Sequence, residues 1–199
     1  MKNLRETYEQ FWEWFQANAD RLAHFEADQE AIFEELSDEL HKVHRKLTFE
    51  FGPETGAGGR EFIVSADGNR ALFPFVQGLV AAAPELPGWK ILAFRQRKET
   101  DGLSLRMGDL ELDPKTVWFK AKREQGKVAL TLYLDGLTPK NKDSLSRAAL
   151  ILLDTALGEY DVEMKVGPLE FKPLPADPAA RGLHPFKELP QQVDTLTGR

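Results

Sequence analysis

The stretch Thr116-Val117-Trp118-Phe119-Lys120-Ala121-Lys122-Arg123-Glu124-Gln125-Gly126-Lys127-Val128-Ala129-Leu130-Thr131-Leu132-Tyr133-Leu134 decides the fold class. Val128, Leu130, Leu132 and Leu134 recur at a period of two, and successive side chains of a strand point to opposite faces of its sheet. Gln125-Gly126 between the two arms is a tight-turn dipeptide, so 116–123 and 128–134 read as a β-hairpin. Trp118 and Tyr133 alternate away from the apolar side.

Beyond the hairpin, Thr138 and Pro139 read as the N-cap and first position of a helix over 139–157, closed by Gly158. Tyr160, Val162, Met164 and Val166 then alternate with Glu159, Asp161, Glu163 and Lys165, which predicts a last strand. The order is β-β-α-β. It also occurs upstream, where 47–51 and 62–66 alternate, Leu72, Phe73, Val76, Leu79, Val80 and Ala83 mark a helix with Pro74 in its first turn, and 89–95 is apolar on both faces. That last segment is expected inside the sheet. An offset of 68 aligns Thr48-Phe49-Glu50-Phe51 with Thr116-Val117-Trp118-Phe119 and Asp67-Gly68 with Asp135-Gly136, an internal repeat competing with the ordinary turn preference for Asp-Gly. The fold class expected is α+β, with an N-terminal helical hairpin followed by two β-β-α-β units sharing one largely antiparallel sheet.

Apolar residues at helical spacing open the chain: Leu4, Tyr8, Phe11, Trp12, Phe15, Ala19 and Leu22, then Ile32, Phe33, Leu36, Leu40, Val43 and Leu47. Two helices broken near 25–28, with Asp28 as N-cap, are preferred over one of more than about 40 residues. Trp14 sits at the flank of the first stripe and is expected at the edge of the core. Leu103, Leu105 and Met107, a Gly108-Asp109 turn, and Leu110 and Leu112 suggest a connecting hairpin. After Phe171 the prolines at 173, 175, 178, 185 and 190 oppose regular structure, although Leu183, Phe186, Leu189 and Val193 are suited to dock on the body. The expected organisation is helices over 1–46, a tandem core over 47–171 with units 47–95 and 116–166, and a proline-rich tail over 172–199.

Composition narrows the chemistry. The net charge of −6 argues against a phosphate-backbone partner, whose affinity comes from clustered cations. Cysteine is absent, which excludes disulfides, thiolate catalysis and cysteine-ligated metals. The N-terminus lacks a signal-peptide pattern and the longest apolar run, 148–153, is far below the length of a membrane span, so a soluble cytoplasmic protein is expected. The glycine-rich segment 52–59 lacks the Gly-Lys-Ser/Thr ending of a phosphate loop and leads into a strand, so a hairpin connection is expected there. His41 and His44 lie three apart on the second helix with Asp38 as the only nearby third ligand, and His24 falls away from both, so neither metal nor cofactor is expected. No Gly-x-Ser-x-Gly elbow surrounds any serine.

The aromatic N-terminal helix, Arg60-Glu61-Phe62-Ile63-Val64-Ser65-Ala66-Asp67-Gly68, Ala93-Phe94-Arg95, Leu152-Leu153-Asp154 and Gly158-Glu159-Tyr160-Asp161 together resemble a family of uncharacterised bacterial proteins. The resemblance spans most of the chain and implies no catalytic residue. At the level of fold the pattern is similar to ferredoxin-like α+β regulators, an analogy that carries no function.

The function expected is a non-enzymatic cytoplasmic binding or regulatory module that recognises another protein. The alternative is an enzyme or small-molecule-binding protein with a pocket at the sheet edge or under the N-terminal helices. Nucleic acid and membrane are not expected partners. Carboxylates two apart on a strand lie about 7 Å from one another on one face, so Glu159, Asp161 and Glu163 form an expected row, flanked by Trp118 and Tyr133. Acid beside exposed aromatic fits a basic protein partner. The competing outcome has the N-terminal helices covering this face.

Overall fold

In the computed structural model, which describes residues 3–54, 60–108 and 110–198, the chain divides after Arg95 into two units, each with its own sheet and core. The fold is α+β, with N-terminal helices followed by strands and helices.

The first unit opens with α1 (Leu4–Ala17), whose Asn3 Oδ1 accepts from the Arg5 amide and caps a donor the helix cannot satisfy itself. Tyr8, Phe11, Trp12 and Phe15 form its buried stripe. A short α2 (Ala19–Ala23) and a 3₁₀ turn over Phe25–Ala27 lead to α3 (Gln29–Val43), which buries Ile32, Leu36, Leu40 and Val43. The helical region thus breaks where expected, with Asp28 at the N-cap position, although the Asp28 side chain makes no capping bond. Next come β1 (Thr48–Glu54), β2 (Arg60–Ser65), α4 (Phe73–Ala81) and β3 (Trp89–Ala93). Strand β1 is antiparallel to β2, and β2 is parallel to β3. The hairpin thus joins β1 to β2, while its residues 55–59 lie outside the described residues. Trp12 Nε1 donates to the Leu79 carbonyl at 2.8 Å, so the buried indole ties α1 to α4 without an unmet donor. Trp14 is half-buried against the same core. Arg60 is buried, donates to Glu26 Oε1 at 2.8 Å and lies 4.6 Å from the Phe25 ring centre, which fixes the 3₁₀ turn to β2.

The second unit begins with a hairpin of β4 (Leu105–Met107) and β5 (Leu110–Leu112), where Asp109 of the expected turn lies outside the described residues. It continues with β6 (Val117–Glu124), β7 (Lys127–Leu134), α5 (Lys142–Leu157), α6 (Glu159–Lys165), β8 (Val166–Pro173), β9 (His184–Pro185) and α7 (Leu189–Thr197). The sheet order is β8-β7-β6-β9. Val128, Leu130, Leu132 and Leu134 are fully buried with α5 and α7 residues, each contributing about 1.5–3 kcal/mol of transfer free energy.

Five expectations are corrected. The strands form separate sheets, not one shared sheet, because each unit's own helices and third strand already cover its apolar residues. The β1-β2-β3 and β8-β7-β6-β9 sheets are mixed, since β3 and β8 run parallel to their neighbours. Strand β3 lies at an edge; the centre goes to β2, whose Phe62, Ile63 and Val64 are all buried. The tail carries a helix, α7, because Pro190 falls in its first turn, where a missing amide costs nothing, and Leu189 and Val193 are buried. Helix α5 starts three residues late: Asn141 is its N-cap residue, and the Asn141 side chain bonds Thr138 and the Gly136 carbonyl instead of the helix.

Candidate functional site

Gln125 and Gly126 have φ of 49° and 81°, so the two-residue turn is left-handed at both positions and matches the twist of the strands it joins. That turn fixes the β6–β7 register and places Trp118 opposite Tyr133. Period two does the rest. Val117, Phe119, Leu130 and Leu132 face the helices, while Trp118, Lys120, Lys122, Thr131 and Tyr133 project from the other side. Strand β8 brings Glu170 beside Thr131 and Lys172 beside Tyr133, and β9 brings Pro185 beside Trp118. One row, Pro185-Trp118-Tyr133-Lys172, therefore crosses all four strands.

Trp118 and Tyr133 are half-buried and belong to neither apolar core. Lys120, Lys122 and Lys172 around them are exposed. Lys122 pairs with Glu124 and Lys172 with Glu170, each at 2.7 Å. Those hydrogen bonds raise both lysines above their ordinary pKa and lower Glu170 below its own. The result is an aromatic pair bordered by Lys120 and by the Lys122–Glu124 and Lys172–Glu170 ion pairs, on a chain of net charge −6.

The acidic row does not form. Residues Glu159–Lys165 are helical, and Gly158, at φ 77°, turns the chain between α5 and α6. Glu159 and Asp161 are buried and Glu163 is half-buried. None of the three is joined to Trp118 or Tyr133 in an exposed row. Asp161 is instead part of a cluster that sequence reasoning missed. Arg97 donates Nη1 and Nη2 to the two carboxylate oxygens of Asp194 at 2.8 Å each, Nη2 also to Asp161, and Nε to the Leu157 carbonyl at 3.0 Å. The Lys165 amine lies 3.0 Å from Asp161 and 3.5 Å from Asp194. The Arg97 hydrogen bonds hold the Asp194 carboxyl below its ordinary pKa against the opposing effect of burial, and the same bonds raise Arg97. Two cations balance two carboxylates. The cluster binds α6 and α7 to the strand-entry segment and leaves its acids committed to Arg97 and Lys165, an anchoring arrangement.

His41 is exposed and His44 ends α3, its Nδ1 accepting from the Lys46 amide. Among the described residues no three histidine or carboxylate side chains converge as metal ligands. An open groove of about 540 Å³ beside Arg97 is lined by charges of both signs, including Lys98, Glu99, Lys187 and Glu188. A second, of about 420 Å³, lies between α1 and α3, where Lys42 is paired with Glu39. Among the described residues no helix is long and apolar enough to cross a membrane.

No family model, curated protein or solved structure matches this chain.

Proposed function

We propose that the chain is a non-enzymatic cytoplasmic binding or regulatory module that recognises another protein through the outer face of the β8-β7-β6-β9 sheet. The observation that carries this reading is the Trp118–Tyr133 pair, two large aromatic side chains set side by side on the sheet face that α5 and α7 leave open. Aromatic side chains on a surface bring much contact area at small conformational cost, and such residues dominate protein interfaces. The charge around the pair reverses the partner expected from sequence: Lys120, Lys122 and Lys172 favour an acidic protein, not a basic one. A phosphate chain suits this face less well, because nucleic-acid affinity comes from many clustered cations and the chain carries a net charge of −6.

The test is affinity capture from native lysate with the wild-type chain and with Trp118→Ala/Tyr133→Ala. Loss of an aromatic anchor at the centre of an interface costs about 2 kcal/mol or more, so recovery of the specific proteins falls at least tenfold. A folded double variant that recovers the same proteins in the same amounts overturns the proposal.

A further inference from the structure

Strand β6 pairs with β7 over all eight of its residues, yet β9 covers its other side only at Trp118 and Phe119. From Lys120 to Glu124 this edge has no strand beside it among the described residues. An open edge presents backbone N–H and C=O groups to any extended chain, and natural proteins commonly guard such edges with lysine. The guard here is selective. Lys120, Lys122 and Arg123 are exposed along the edge with Glu124 the only acid, so a like-charged strand is repelled and an oppositely charged one is drawn in.

We infer that the partner's docking segment is an extended acidic strand that adds to the β6 edge over residues 120–124, continuing the line that β9 begins. This rests on the reading of protein recognition given above. Side chains of an added strand alternate between the two faces. Carboxylates at every second position therefore meet Lys120 and, in exchange for Glu124, Lys122, and the residues between them fall beside Ala121. Backbone pairing supplies affinity, charge supplies selection, and Trp118 borders the added strand on the same face as the two lysines.

The probes are fluorescein-labelled ten-residue peptides of alternating valine and glutamate or alternating valine and lysine, and an oligothymidylate of equal length. Anisotropy with the full-length chain at low salt reports binding, and hydrogen exchange reports the amides of 120–124. The glutamate peptide binds at least tenfold tighter than the lysine peptide, Lys120→Glu/Lys122→Glu inverts that preference, and exchange over 120–124 slows on binding. Equal binding of the two peptides, tighter binding of the oligothymidylate, or binding that leaves exchange at 120–124 unchanged overturns the inference. If the peptides fail to discriminate while Trp118→Ala/Tyr133→Ala still loses its captured proteins, strand addition falls and recognition through the face stands. If capture is also unchanged, both fall.

Discussion

Trp118 stands directly opposite Tyr133 in the antiparallel β6–β7 pair, and both project from the side of the sheet that α5 and α7 do not cover. The next residue along, Phe119, is fully buried on the opposite side. One step along a strand thus separates a core residue from a surface residue of similar bulk. Phe119→Ala is expected to cost about 3–5 kcal/mol, the usual range for deleting a buried ring. Trp118→Ala is expected to cost about 1 kcal/mol, the scale of a cross-strand pair. Urea unfolding of the two variants checks the contrast, and similar losses would mean that Trp118 is a core residue.

The Arg97–Asp194 pair makes stability fall in acid. The Asp194 pKa is depressed on folding, so its contribution is present above the ordinary aspartate value near 3.8 and is lost as pH falls through the lower folded value. Asp194→Asn is expected to cost about 1.5–3 kcal/mol at pH 7, typical of hydrogen bonds to a charged group. The same variant loses less stability than wild type when the pH is lowered from about 5 to about 2.5. Parallel pH curves for the two proteins would contradict the pairing.

In the first unit, a Cβ at Gly78 of α4 would lie 2.8 Å from both Cε2 and the hydroxyl of Tyr8, which is itself buried. Gly78→Ala alone is expected to destabilise by about 1–2 kcal/mol through overpacking. In a Tyr8→Ala background the same change stabilises by about 1 kcal/mol, because the helix preference of alanine is then unopposed. A double-mutant cycle by chemical denaturation measures this coupling, and simple additivity would show that the two side chains do not meet.

The β6–β7 hairpin was legible because three signals agree: period two on both arms, a Gln-Gly turn, and no competing helical spacing. From it, the placement of Trp118 and Tyr133 away from the apolar face follows directly. Residues 159–165 were misread because their polar and apolar residues alternate, yet tertiary pairing decides the outcome. Asp161 is drawn inward by Arg97, 64 positions away in sequence, and by Lys165 one helical turn on, while Tyr160 and Met164 are left exposed. No local pattern encodes such a partner. Strand β8 was hidden for a different reason. Gly167 and Pro168 look like breakers, but the register of β8 against β7 is irregular between the Val128 and Leu130 pairs, and that irregularity takes up the two residues. The division into separate sheets was also beyond reach, since strand order alone does not say which strands meet.

The most direct test of recognition through this face is site-specific photo-cross-linking with a benzophenone amino acid placed either at Lys120 or at Leu150. Leu150 lies on α5 and is exposed, so it serves as an exposed control on another element. The account predicts that irradiation in native lysate joins the Lys120-substituted chain to a discrete protein, that excess unmodified chain competes the product away, and that the Leu150-substituted chain gives none. A protein adduct from position 150 without one from 120, or a product at 120 that nuclease removes, would contradict it.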